Sequence, residues 1–167
     1  MDQPVVSIAD DLRAEVTETA AYLRGVSDGD ASRRPAPGAW SAKEIIGHLI
    51  DSAANNHARF VRAQLEPDLV SAGYAQDEWV RVQAYQDASW PRLLDLWTAY
   101  NLHIAHVMEA APDETKSRPR TRHNLDQIAW SQVSTNQPVT LDYFMRDYVD
   151  HLRHHLRQIA SLVGQST

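Results

Sequence analysis

His151, His154 and His155 fall within five positions of the stretch DHLRHHLRQ at 150–158. Imidazole nitrogens ligate transition metals, exchange protons near neutral pH, and also occur on polar helix faces without a role. The chain has no cysteine, so disulfides, thiolate ligands and a cysteine nucleophile are excluded. Any metal must be held by nitrogen and oxygen. A helix turns ~100° per residue. On that wheel His155 falls inside the apolar stripe, beside Leu152 and Ile159, and His151 lies at its edge. His154 points toward solvent. His151 and His155 are therefore an i, i+4 pair, with Cβ atoms ~6 Å apart, and both rings can reach one ion. A pair of partly buried histidines satisfied by hydrogen bonds has the same spacing, and helix periodicity leaves both readings open.

A third ligand has to come from another helix. His103 and His106 lie off the apolar face of their own helix and read as surface residues, while His57 and His123 are weaker candidates. His48 lies at the border of the apolar stripe of the second long helix. It stands about seven residues from that helix's start, and His155 about seven from the end of the fourth, or ~10 Å along each axis. If the two helices are antiparallel, His48 and His155 share one level. His48, Ser52, Asn55 and Arg59 form a polar stripe with Asp51 on its flank. Such a stripe is either a solvated face or a pocket wall, with Ser52 and Asn55 as hydrogen-bonding groups and Arg59 as an anion contact. Asp51 is the one candidate general base, at a less favourable angle than Ser52 or Asn55.

Four long helical patterns position these residues. The first, about 8–25, follows a Ser7 cap and carries Ile8, Leu12, Val16, Ala20 and Leu23 as its stripe. A turn-rich link, SDGDASRRPAPGAW, follows. The second begins at SAKE, where Ser41 and Glu44 have capping-box spacing and Trp40 and Ile45 can form a hydrophobic staple; it ends before Pro67. The third starts at SWPRLLDLW, with Ser89 or Trp90 as cap and Pro91 in the first turn, and stops at Pro112. Leu93, Trp97, Tyr100, Ile104 and Met108 face inward. The fourth, about Thr140 to Leu162, presents Leu141, Phe144, Tyr148, Leu152, Leu156 and Ile159. Links at 67–89 and 112–139 have room to cross an end of a bundle, with short helices expected near DEWVRVQAY and LDQIAW. The fold class is all-α, a four-helix bundle.

The 167 residues, 43% of them apolar, suit one domain over 1–167. A formal net charge of −6 disfavours a nucleic-acid partner. The opening MDQPVVSIADDLR does not have the pattern of a secretory leader, and no run approaches the ~20 apolar residues of a membrane span. A cytoplasmic protein is the expectation.

PGAWSAKEIIGHLIDSAANNHARF at 37–60 followed by DHLRHHLRQI at 150–159 resembles the DinB/YfiT-like superfamily, nearest to its YfiT-type metal-dependent hydrolases and the related bacillithiol transferases. Trp40-Ser41, the string from His48 to Phe60, and H-x-x-H-H at 151–155 carry the likeness, which spans nearly the whole chain. The resemblance implies an up-down-down-up bundle and a divalent metal, nickel or zinc, on His48, His151 and His155. It also implies a homodimer, and a small-molecule substrate processed by transfer of a low-molecular-weight thiol or by hydrolysis. A non-catalytic bundle that senses or stores a metal or small molecule is the rival class.

Overall fold

Serine and threonine caps set where the chain becomes helical. The computed structural model describes residues 7–164; MDQPVV, at the head of the stretch read above for a leader, lies outside them. Ser7 Oγ accepts from the Asp10 N–H and opens α1 (Ile8–Leu23). Ser41 and Glu44 form both halves of a capping box at the start of α3 (Ala42–Leu65). Thr140 accepts from the Tyr143 N–H and opens α8 (Leu141–Val163). The remaining long helix, α5 (Trp90–Ala110), follows Ser89, whose side chain makes no capping bond. Instead Asp28 of the short helix α2 (Asp28–Ser32) accepts from the Trp90 N–H at 3.1 Å, so one helix caps another. Ser89 thus supplies only the backbone part of the expected cap. Within the turn-rich link, Pro, Gly and Asp conceal this five-residue helix from the periodicity.

The long helices form the expected all-α four-helix bundle. α1 packs against α5 and α8, and α3 packs against the same two, so α1 lies diagonal to α3 and α5 diagonal to α8, while α3 and α5 are direct neighbours. Arg13 meets Glu109 and Arg24 meets Asp95, which makes α1 and α5 antiparallel. Phe60 lies against Phe144 and Tyr148 at one end of α3 while His48 lies against His151 and His155 at the other, so α3 and α8 are antiparallel too. Ser7 and Ile8 share a cleft with Met145, and Tyr22 shares one with Ala160, so α1 and α8 run together. The order is up-down-down-up. Leu12, Phe60, Trp97, Ile104 and Leu152 are fully buried, each contributing roughly 1.5–3 kcal/mol of apolar burial. Tyr100 is only half-buried. Asn101 takes the core position beside it and accepts from the Tyr148 hydroxyl at 2.5 Å.

Parallel α3 and α5, and diagonal α5 and α8, both need long connections. The first carries α4 (Gln76–Val82) and a 3₁₀ turn at Tyr85–Asp87; the second carries α6 (Asp113–Ser117) and α7 (Leu125–Ile128). The two links are tied to each other. Leu69 donates to Arg122 O at 3.0 Å and accepts from the Asn124 N–H at 3.2 Å, and the Asn124 amide brackets Ser71. Ala84, in the left-handed region at φ 50°, turns Tyr85 onto α3. There the ring lies flat on the backbone of Gly47, where a Cβ would fall 2.1 Å from Tyr85 Cδ2. No helix among the described residues is long and apolar enough to cross a membrane.

Candidate metal centre

Antiparallel α3 and α8 bring His48, His151 and His155 together. One nitrogen from each ring lies within 4.8 Å of the other two. His48 Nε2 and His151 Nε2 stand 3.3 Å apart. Two nitrogens bound tetrahedrally at about 2.05 Å from a zinc-sized ion are separated by about 3.3 Å. A shared proton also spans such a gap between two rings, but it cannot serve three. His155 Nδ1 is committed as donor to Gln158 Oε1 at 2.8 Å, which leaves Nε2 as its free lone pair. His151 Nδ1 faces Ser52 Oγ at 3.5 Å. His48 Nδ1 is buried without a hydrogen-bond partner. The donor set of three imidazoles fits a divalent transition metal.

The electrostatics favour a cation. Burial, with a smaller contribution from His155, pushes the His48 pKa down to about 4. Burial and then His155, His48 and His154 push His151 down to about 3. His155 is also lowered, chiefly by burial, with its Gln158 bond opposing the shift. All three are neutral at pH 7 and present lone pairs rather than charge.

His151 and His155 line a cavity of about 280 Å³, and His48, wholly buried, lies behind them. Ser52, Asn56, Arg59, Tyr74, Trp130 and Asp147 contribute to the same wall. The polar stripe therefore divides. Ser52 and Arg59 face the cavity as expected, but Asn55 does not line it. Asn55 donates to the Asp51 carbonyl at 2.9 Å instead. Asn56, next along the helix and rotated toward α8, takes its place and donates to Ser52 O at 2.9 Å and Ser52 Oγ at 3.3 Å. Asp51 is also turned away. Its Oδ1 accepts from the Tyr85 hydroxyl and from Gln83 Nε2, each at 2.7 Å, while burial raises its pKa against both bonds. Asp147 holds the second link, accepting from the Trp130 and Ser131 N–H groups at 2.8 and 2.7 Å.

His154 stands outside the trio, but it does not simply meet water. It is half-buried under Trp130, with ring centroids 4.6 Å apart, and accepts from Gln158 Nε2 at 3.0 Å. Gln158 thus spans His154 and His155. Its spacing, i+4 and i+3 from the two, was visible in the sequence. Trp40, cast above as a staple, packs against His48 with centroids 5.2 Å apart. Trp130 and Tyr74 sit in links, where no periodicity marks them.

The DinB superfamily profile matches residues 11–159. The chain belongs to the DinB superfamily. Its fold superposes on YfiT from Bacillus subtilis with a TM-score of 0.72 at 19% identity, over 99% of this chain and 92% of that one. That protein is described as a probable metal-dependent hydrolase with an unusual four-helix bundle topology. No curated protein sequence matches the chain. Within this DinB-superfamily bundle, His151 and His155 of α8 and His48 of α3 are the meeting point of the two motifs that carried the resemblance.

Proposed function

We propose that the protein is a divalent-metal-dependent enzyme that joins a low-molecular-weight thiol to an electrophilic small molecule, with His48, His151 and His155 as metal ligands. The observation that carries this reading is the convergence of three neutral imidazoles on one point at the wall of a cavity. A divalent ion bound there, nickel or zinc, supplies a Lewis acid with positions open to exogenous ligands. The chain's own groups do the rest. Gln158 fixes the His155 ring by accepting from Nδ1, and Ser52 stands at the outer nitrogen of His151. Trp40 and Trp130 cover the rings and limit water.

The preference for a thiol over water comes from the carboxylates. Asp51 bonds Tyr85 and Gln83, and Asp147 bonds two backbone N–H groups, so neither is placed as a free base. A thiol, with pKa about 8.5, ionises with less help than water does. Hydrolysis is the second reading, favoured by the likeness to YfiT. The test is a panel of thiols against epoxide, halide and activated-ester electrophiles, with nickel or zinc restored to chelator-treated protein. Thiol consumption that depends on metal is expected. Ester cleavage at equal rate without thiol would establish the second reading, and stoichiometric metal with no turnover of any pair would favour a sensor or storage bundle.

A further inference from the structure

Arg59 carries a buried charge that the protein leaves without a counter-ion. It lies on α3, 11 residues beyond His48 or ~16 Å along the axis. It is 7% exposed and lines the same cavity as His151 and His155. Its two hydrogen bonds go to neutral oxygens, Ala72 O at 2.8 Å and Asn56 Oδ1 at 3.4 Å. A guanidinium has five N–H donors, and these two bonds engage two of them. Among the described residues no carboxylate pairs with it. Asp147, on the cavity wall, is engaged by Trp130 and Ser131. The contrast with Lys43 is direct: that side chain is equally buried, and it meets Asp28 at 2.8 Å. Burying an uncompensated cation is strongly unfavourable. Burial lowers the Arg59 pKa, but guanidinium remains charged at neutral pH.

A line of contacts joins this charge to the histidines. Arg59 donates to Asn56, Asn56 donates to Ser52, and Ser52 faces His151. Tyr74 adds a protonated phenol, whose pKa burial pushes further up to about 12. We propose that Arg59, with Asn56 and Tyr74, forms an anion subsite that seats a carboxylate at the end of the substrate remote from the histidines. A carboxylate matches the site better than a phosphate. The planar fork accepts it in two parallel bonds, and one cation balances one negative charge. The orientation toward the histidines rests on the proposed enzyme reading, whereas carboxylate binding at Arg59 does not.

Calorimetric titration of the full chain with succinate, succinamide and inorganic phosphate tests the subsite, using wild type, Arg59→Gln, Arg59→Lys and chelator-treated His48→Ala. Wild type is expected to bind succinate and not succinamide. Arg59→Gln should weaken succinate at least tenfold while keeping helical content and metal stoichiometry, with Arg59→Lys between the two. His48→Ala should still bind succinate. A wild type without stoichiometric metal but with Arg59-dependent succinate binding would remove the enzyme reading and leave the subsite standing. Equal affinity of wild type and Arg59→Gln would overturn the subsite, as would equal binding of the diamide, tighter binding of phosphate, or loss of succinate binding in His48→Ala. Should Arg59→Gln fail to fold, Arg59→Lys decides: weakened binding supports the proposal and unchanged binding rejects it.

Discussion

Two groups of histidines bridge helices in this bundle, and they differ in everything except residue type. His48, His151 and His155 join antiparallel α3 and α8 and point nitrogens at one another. His57, His103 and His106 lie between α3 and α5. There His57 and His103 meet edge to face at 5.0 Å, and His106 stands 6.2 Å further along. His103 and His106 are exposed, and these three rings do not bring ligand atoms together as the first trio does. The first group has Gln158 and Ser52 at its outer nitrogens. For the second, the neighbour is the ring of Tyr100. Histidine clustering alone is therefore a poor mark of a metal centre. Convergence of lone pairs, burial and partners that fix the rings distinguish it.

The largest effects separate the two groups. His48→Ala, His151→Ala or His155→Ala should each abolish stoichiometric metal binding, while His57→Ala and His103→Ala keep it, as read by metal analysis of tag-free protein. Equal loss in both groups would erase the distinction. Next comes pH. Because the folded pKa values of His48 and His151 lie at about 4 and about 3, below the ordinary 6.5, the unfolded chain binds protons first as pH falls. Metal-free protein should hold its stability above pH 6.5 and lose it progressively toward pH 3. Urea midpoints across that window should fall less steeply in His151→Ala than in His57→Ala. Smaller again, Gln158→Ala and Ser52→Ala should weaken metal affinity about 10- to 100-fold without removing the ligands. A competition titration against a chelator would show it, and unchanged affinity would mean that the rings are fixed by packing alone. The smallest effect is expected for His154→Ala, which keeps full metal stoichiometry and loses the contact with Trp130 and the bond from Gln158.

How far the site could be read in advance follows from where its residues lie. His48, His151 and His155 sit on long periodic helices, so a wheel and a depth estimate locate them. Asn55 and Asn56 show the limit of that reasoning. The wheel gives an angle relative to the apolar stripe, but which flank holds the cavity depends on the partner helix. α8 packs on the Asn56 side, and Tyr85 occupies the Asp51 side. Trp130 and Tyr74 join the site from the links, whose course depends on contacts between distant segments. The cap of α5 was hidden for the same reason, because its acceptor, Asp28, comes from another helix.

The clasp between the links bears on the order in which the molecule assembles. It joins Leu69 to Arg122 and Asn124, and Ser71 to Asn124, across some fifty residues of intervening chain. Closing a loop of that length costs entropy that only docked helices can offset. The bundle should therefore form first and the cavity wall last. In hydrogen exchange the Leu69 and Asn124 amides should open together, at lower free energy than those of α3 and α8. The histidines would then come together early, in a bundle whose cavity is still incomplete.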